Sequence, residues 1–541
     1  MPRVPRSRLV RLAGDPEAVR DAARRLFDAQ DEPDGRLRIE RQDAPGGTAF
    51  VRLRVDPIDD GGSRLRIESH VELHLPFFNW AIRPLVSFSL RRFARYVPVA
   101  TAADLAGEPV PDAPPPPSFL PVGAFDARQA SQLSTAAAAV AIVGFASGLV
   151  GQLADPVQRS FHVSDAGLGT ALAITRVGAL IALVVAGFAD RQGRRKAILL
   201  GIALCGISSL VSAVAPTFAV FTAAQTLQRA AVIATSIVAG IAAIEEAPEG
   251  ARAFSAAMLG LAGGFGFSFA VLALPVSDIA SWAWRLAFAA SAATLLFIPR
   301  IARSLTESGR YSRLAGTDVE RGRVSGVFGS YYGRRFAILA AAVFLLNVFS
   351  APSSQLTNKY LTDIRHYSGA HIALFRAVTT GIPGIAGLLL AGPLSEARGR
   401  RQVIRFGLLV GIATQMVAYL TGGAVLWIAN TASAVASAAG GVALGTVQAE
   451  MFPTEVRGTS NALLLVAGVV GSAIGLIGAG VLSDPIGLGH ALALCGIGAL
   501  LAAAFLLPRL PESAQRSLDD VSPTGSNPAE PNATDSKPTD E

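Results

Sequence analysis

From about Ser134 to Pro508 the chain alternates long apolar runs with short charged turns. The runs cover approximately 134–154, 167–188, 197–216, 218–244, 253–276, 284–300, 336–358, 371–394, 403–422, 424–449, 459–482 and 490–508. Each is close to the roughly 20 residues that an α-helix needs to cross a bilayer, and far longer than a membrane strand of roughly ten. In lipid only helices and closed barrels satisfy their own backbone groups. The pattern predicts twelve membrane-spanning helices.

The first 110 residues follow a different pattern. "DPEAVRDAARRLFDAQ" (15–30) has helical periodicity, with Asp15 as its N-cap. "RLRIE" (36–40), "TAFVRLRVD" (48–56) and "SRLRIESHVELHL" (63–75) alternate apolar and polar residues. In the last, Leu65, Ile67, Val71, Leu73 and Leu75 share one face, opposite a wet face. "APGG" and "DDGG" supply turns, which predicts an antiparallel meander. "FFNWAIRPLVSFSLRRFARYV" (77–97) reads as a basic amphipathic helix interrupted at Pro84. It is expected to pack on the meander, the other option being to lie on anionic lipid. The order helix, meander, long helix loosely resembles helix-grip lipid-binding modules. Residues 111–124 read as a stiff Pro-rich linker.

Composition and charge agree with this division. The chain is 51% hydrophobic and only 16% charged, with a mean hydropathy of +0.44; a soluble protein of this size needs more charge to cover its surface. Its net charge of +7 comes almost entirely from Arg. These Arg residues flank apolar runs, so they report membrane orientation rather than nucleic-acid binding. Turns after runs 2, 6 and 8 are rich in Arg, and turns after runs 1, 3, 9 and 11 hold almost none beyond Arg159. Both termini are therefore expected on the cytoplasmic side of a bacterial-type inner membrane. The Arg-over-Lys and Ala bias fits a GC-rich genome. The N-terminus has no apolar h-region, so no cleaved signal peptide is expected. Cys205 and Cys495 lie inside apolar runs and indicate no disulfide framework. Residues 514–541 form an acidic, Pro-rich tail read as disordered.

The charged turns repeat. "VAGFADRQGRR" (185–195) aligns with "AGPLSEARGRR" (391–401), matching Asp190 to Glu396, Gly193 to Gly399, and Arg194 and Arg195 to Arg400 and Arg401. The offset is 396 − 190 = 206. "EEAPEGAR" (245–252) aligns with "EMFPTEVR" (450–457), matching Glu245 to Glu450 and Arg252 to Arg457, at 450 − 245 = 205. Two six-helix halves (125–300 and 335–513) thus repeat in the same membrane sense, joined by a basic central loop (301–334).

On these motifs residues 125 to 515 resemble the major facilitator superfamily. "AGFADRQGRR" matches its signature between helices 2 and 3, with Ala186 and Phe188 as departures. "GPLSEARGRR" echoes it, with Glu396 for Asp and Ala397 for Arg. "EMFPTEVRG", "LTESGRY" (305–311) and "LPES" (510–513) resemble the sugar-porter and organic-ion branch. The resemblance implies an all-α polytopic fold of two parallel six-helix repeats, preceded here by a small cytoplasmic α+β domain. It implies a carrier and not an enzyme, working by alternating access. Asp190, Arg191, Gly193, Arg194, Arg195, Glu245, Arg252, Glu396, Gly399, Arg400, Glu450 and Arg457 would latch the cytoplasmic ends of the halves. The substrate cavity would be lined mainly by helices 1, 4, 7 and 10.

Candidate site residues follow from burial of polarity. Arg176 and Arg229 fall midway along apolar runs 2 and 4. An ionised group at that depth costs roughly 3 kcal/mol and is a functional candidate by default. Asn347, Ser350, Gln355 and Asn358 in run 7, and Asn430 in run 10, could bind hydroxyls or carboxylates, or act as glue between helices. Two buried cations with no mid-membrane carboxylate favour an anionic solute, such as an organic acid. Asp155, at the end of run 1, is the only acid expected near the outer cavity mouth, and so the candidate for proton coupling. No Walker motif, metal-ligand spacing or nucleophile elbow is found, so no cofactor, metal or ATP is expected. The expected partners are a small solute, the bilayer and a coupling proton, with no nucleic acid. Uptake of a small polar solute, such as a sugar or an organic acid, is the first reading. Drug or metabolite efflux is the rival, disfavoured because Phe265 stands where the efflux branch carries Pro. A sensor or lipid-binding role through the N-terminal domain is the rival from another class.

Overall fold

The computed structural model describes residues 7–41, 47–58, 62–73, 75–114, 125–182, 193–248, 251–306, 330–452 and 454–512. The N-terminal domain runs β1 (Ser7–Leu12), α1 (Pro16–Phe27), β2 (Gln30–Asp31), β3 (Leu37–Arg41), β4 (Gly47–Pro57), β5 (Ser63–Leu73) and α2 (Asn79–Ala106). The sheet is antiparallel, in the order β1-β5-β4-β3-β2. Asp15 caps α1 as its sequence requires, accepting from the Glu17 amide. The edge strands β1 and β2 were not legible in the sequence. β1 is short and rich in Arg, and β2 has two exposed polar residues.

Alternation in β3, β4 and β5 sends Leu37, Ile39, Val51, Leu53, Val55, Leu65 and Ile67 into one core. The stripe Val86, Leu90, Ala94 and Val97 of α2 closes that core. This is the packing expected of the basic helix, with one correction: Pro84 does not interrupt it. The helix runs unbroken through Pro84 and Pro98. Each proline removes one amide donor, and the apolar stripe seated on the sheet holds the helix across both.

Among the described residues twelve helices are long and apolar enough to cross a membrane. Spans 1–6 are Ala127–Gln152, Asp165–Ala182, Arg194–Ala213, Phe218–Glu246, Phe254–Ser277 and Trp284–Ser304. Spans 7–12 are Gly333–Asp363, Gly369–Ala391, Arg400–Leu420, Gly423–Gln448, Ser460–Ile486 and Leu488–Arg509. They coincide with the twelve apolar runs to within a few residues, the largest extension being at the start of span 1. The end of the bundle bearing the Arg-rich turns is called the basic end below, and its opposite the far end.

Small residues set the closest contacts between spans, as expected of membrane helices. A Cβ on Gly266 of span 5 would stand 1.9 Å from the Ala141 carbonyl oxygen of span 1. The Gly-rich stretch of span 5 is thus a packing seam. In each half an arginine closes a helix at the far end. Arg285 donates to the carbonyls of Ala213 (2.8 Å) and Ala215 (3.0 Å), closing the end of span 3. Arg365 likewise donates to the Thr421 carbonyl at the end of span 9. A cation at a helix C-terminus satisfies carbonyls that the helix leaves open.

The N-terminal domain docks at the basic end through residues 75–80. The Phe77 amide donates to Ser134 Oγ of span 1 at 3.1 Å. Arg300 of span 6 donates to the Pro76 carbonyl at 2.9 Å and lies over the Phe77 ring at 5.3 Å.

Candidate functional site

A cavity of about 810 Å³ lies between the two halves, a size suited to a small molecule. The N-terminal half lines it with Arg176 and Ala179 of span 2 and Arg229 and Ile233 of span 4. The C-terminal half lines it from spans 7 to 11 and continues it to Gln448 and Asn461 near the basic end. Spans 4, 7 and 10 take part as expected. Span 1 does not, which corrects that expectation: its Gly144 and Gly148 pack tightly on span 5 instead. Among the described lining residues three are arginines, Arg176, Arg229 and Arg376, and none is Asp, Glu or Lys.

Local structure explains how these cations meet. Span 2 departs from α-geometry at Arg176, whose amide donates to Ala173 O. Two residues on, Gly178 lies against span 4; a Cβ there would stand 2.3 Å from Thr226 O and 3.1 Å from the Arg229 Cβ. Only glycine permits this approach, and it brings the Arg176 and Arg229 backbones together. Gln228 turns the other way, donating to Ala146 O of span 1 at 2.9 Å and accepting from Ser209 of span 3. Span 4 is thereby fixed in rotation, with Arg229 toward the cavity. The Nε atoms of Arg176 and Arg229 have no hydrogen-bond partner among the described residues. Arg176 is only 7% exposed.

Arg376 escaped the sequence reading because it lies about two turns into span 8, close enough to the end for a cation to pass for a flanking charge. The helix winds as a π-turn over Ala377–Gly381 directly after it, a distortion common at functional sites. Arg376 Nε donates to Asn358 Oδ1 at 2.9 Å. The Asn358 amide in turn donates to Gln152 Oε1 at 2.6 Å, across to span 1. A chain of three polar groups, Arg376 at the cavity and the buried Asn358 and Gln152, therefore joins the cavity to the seam between the halves.

The predicted polar residues divide accordingly. Asn347 and Asn430 line the cavity with Ser350. Asn347 also donates to Val343 O at 2.8 Å, and Asn430 to Thr379 Oγ1 at 2.8 Å, so each serves its helices as well. Gln355 and Asn358 do not line the main cavity. Gln355 is buried against Gly151 of span 1, and Asn358 is buried at the seam. Both sit where span 7 meets span 1, toward the far end, and Asn358 touches the cavity through Arg376.

At the far end the halves are tied by charge. Lys359 Nζ lies 3.1 Å from Asp165 Oδ1 and 2.5 Å from Asp363 Oδ2. Arg159 pairs with Asp363 at 3.0 Å and with Asp155 at 3.0 Å. Asp278, just past span 5, accepts from the amides of Gly369 (3.1 Å) and Ala370 (3.3 Å) that open span 8. Ser483 of span 11 donates to Asp165 at 3.0 Å. The backbones also approach closely here: a Cβ on Gly169 would stand 2.5 Å from Leu476 O. Asp155 is not the only acid at this end, as the sequence had suggested; Asp165, Asp278 and Asp363 accompany it. It is 4% exposed and lines a second space of about 210 Å³ with Asp278 and Asn358. Burial, reinforced by the Asp363 charge, raises its carboxyl above the ordinary value of 3.8, against the opposing pull of Arg159 and Lys359.

At the basic end the described ties stay within one half. Arg194 pairs with Glu245 at 3.2 Å. Arg195 donates to Leu305 O and Ala302 O, both at 2.9 Å. In the second half Glu512 accepts from the amides of Arg400 (3.0 Å) and Arg401 (3.1 Å), capping span 9. Gly193 and Gly399 hold matching left-sided dihedrals, φ 98° and φ 84°, at the start of spans 3 and 9. Their identical geometry is why the motif keeps glycine at both places. Asp190 and Arg191 lie outside the described residues, as do the side chains of Arg252, Glu396, Glu450 and Arg457.

The profile of the Major Facilitator Superfamily matches residues 136–387 and 343–530. A probable 4-methylmuconolactone transporter of Cupriavidus pinatubonensis is 26% identical over 367 residues, 65% of this chain and 83% of that one. The multidrug resistance protein Stp of Mycobacterium tuberculosis is 40% identical over 114 residues, 20% of this chain and 21% of its own. Among solved structures, the inward-open xylose transporter XylE of E. coli superposes with a TM-score of 0.60 at 17% identity, over 73% of this chain and 99% of its own. A bacterial homologue of the human lysosomal transporter Spinster, inward-facing and occupied, gives 0.57 at 20%, over 69% and 95%. Twelve spans in two parallel halves, paired motifs with paired geometry and a polar cavity on the axis between them have one common account: the chain is a membrane transporter and belongs to the major facilitator superfamily.

Proposed function

We propose that this transporter carries a small organic anion into the cell by alternating access. The observation that carries this reading is the cavity itself, with three arginines and no acidic side chain among its described lining residues. Guanidinium groups pair with carboxylates in a planar, two-pronged geometry. The hydroxyls and amides of Ser350, Asn347, Gln415 and Asn430 would hold the remaining polar groups of the solute. The relative named for 4-methylmuconolactone supports a metabolite over a sugar.

Orientation by the Arg-rich turns puts the basic end in the cytoplasm. The conformation then reads as inward-facing, since the ties that join the halves lie at the opposite, outer end. The motif residues, Asp190 through Arg195 and Glu396 through Arg400, with Glu245, Arg252, Glu450 and Arg457, would act as latches when the cytoplasmic ends meet. Asp155 is the coupling site in this scheme, taking up a proton as symport requires.

Uptake of labelled small carboxylates by proteoliposomes tests the proposal. Arg229→Ala and Arg176→Ala are each expected to lower uptake by about 10–100-fold, the worth of one charge-assisted hydrogen bond of about 1.5–3 kcal/mol. Unchanged uptake in both variants, or thermal stabilisation by neutral sugars but by no carboxylate, would remove the anion reading. Export is the second reading, favoured by the stretch shared with the drug-resistance relative. Accumulation only in inside-out vesicles would establish it.

A further inference from the structure

The helix α2 uses one side to close the core of its domain, and the other side is exposed. On that outer side stand Trp80, 68% exposed, Leu85, 43%, and Phe88, 48%. Arg83, Arg91, Arg92 and Arg95 are exposed between and beyond them. From residue 79 to residue 99 the chain contains no Asp or Glu. An outer face that mixes large apolar groups with unopposed cations is poorly matched to water and well matched to an anionic lipid surface.

The position of the helix points the same way. Phe77 is seated on spans 1 and 6 through Ser134 and Arg300, which fixes where α2 begins. The Trp80 ring then lies 6.1 Å from that of Phe265. Phe265 projects from span 5 on the side that also exposes Phe269, 5.7 Å from it ring to ring, and Leu272. Such an outward apolar surface of a membrane bundle faces acyl chains. Trp80 therefore reaches from the start of α2 along the outer side of span 5 as far as Phe265, the twelfth residue of that span, in among the acyl chains.

We propose that α2 is an interfacial anchor. It lies in the headgroup region of the leaflet nearest it, with Trp80 in among the acyl chains, Leu85 and Phe88 at the acyl boundary and the four arginines on anionic headgroups. The N-terminal domain is thus held between lipid on one side of α2 and its own sheet on the other. This placement is independent of which solute the cavity carries.

A nitroxide at position 85 (Leu85→Cys) in the full chain, with Cys205 and Cys495 replaced by Ala, reports the environment directly. The protein is reconstituted into phosphatidylcholine vesicles with and without phosphatidylglycerol. With phosphatidylglycerol present, the label is expected to be more accessible to oxygen than to a water-soluble nickel chelate. A label at exposed Glu17 (Glu17→Cys) on α1 is expected to show the reverse preference. The triple variant Arg91→Gln, Arg92→Gln, Arg95→Gln is expected to move the position-85 label toward nickel while the transition temperature of the protein stays the same. Preference for nickel at position 85 in the parent protein would overturn the proposal, as would dipolar broadening between labels, the mark of a second copy on this face. Indifference of the position-85 label to both the lipid charge and the triple variant would remove the electrostatic part.

Discussion

The two ends of this bundle are stapled in different directions. At the far end, ionic pairs and a carboxylate cap run from one half to the other: Lys359 to Asp165, Arg159 to Asp363, Asp278 to the start of span 8. At the basic end the described ties run within a half, Arg194 to Glu245 and Glu512 to the start of span 9. Among the described residues, the ties made by the charge-rich motifs hold parts of one half together. The described contacts that hold the halves together come from residues in no recognisable motif. Rigid halves joined at one end are what a rocking motion needs.

The comparison breaks most completely if the far end cannot close. Gly169→Leu introduces a side chain where even a Cβ would stand 2.5 Å from Leu476 O. Transport is expected to fall by about 100-fold, on an overpacking cost of up to about 3 kcal/mol, while the protein still inserts and purifies as a monodisperse species. Normal uptake would show that spans 2 and 11 need not meet.

Lys359→Ala is next in size. It removes the partner of two carboxylates at once and leaves both partly buried. The far end is expected to open, with labelling of a cysteine at Asn358 (Asn358→Cys) by a membrane-impermeant maleimide rising on the order of tenfold, the equivalent of about 1.4 kcal/mol. An unchanged labelling rate would mean that Asp278 and the glycine seam suffice.

Acid sharpens the contrast. In the closed far end the Asp155 carboxyl titrates above 3.8, its ordinary value. Opening admits water and returns it toward that value, so the closed form binds the extra proton. By linkage, falling pH favours closure across the window from the raised value down to 3.8, by at most about tenfold per pH unit. Labelling at the far end is expected to decline on acidification, and Asp155→Asn to abolish the pH dependence. The smallest effect is expected from Arg194→Ala. It breaks a tie within one half, a half-buried pair, and is expected to lower the transition temperature by a few degrees, on the order of 1 kcal/mol. Far-end labelling is expected not to move.

Much of the architecture could be read before any coordinates because lipid makes it a one-dimensional problem. Every span must be an apolar run, and every turn that stays on one side tends to carry Arg. The strands of the N-terminal domain with one wet face were legible for the same reason, and β1 and β2 were not, since edge strands need no alternation. The site was only half legible. Arg176 and Arg229 stand out because a cation in an apolar run has no bland explanation by composition. Arg376 and Lys359 sit near span ends, where cations are ordinary, and their importance depends on which residues of the other half they face. Gln355 and Asn358 were misplaced by depth alone: polarity within a span says that it is used, and packing decides whether by solute or by neighbouring helix.

The arginines of the cavity bear on the empty carrier as much as on the loaded one. On the proposed alternating-access reading, an empty carrier passing between its two states encloses Arg176 and Arg229 with no opposing charge, at roughly 3 kcal/mol for each ionised group held at mid-membrane. On the same reading a bound anion lifts that barrier. Return journeys with cargo then outrun return journeys without it. The kinetic signature is counterflow: vesicles preloaded with the anion would take it up from outside faster than empty ones, and the resting transporter would behave first as an exchanger.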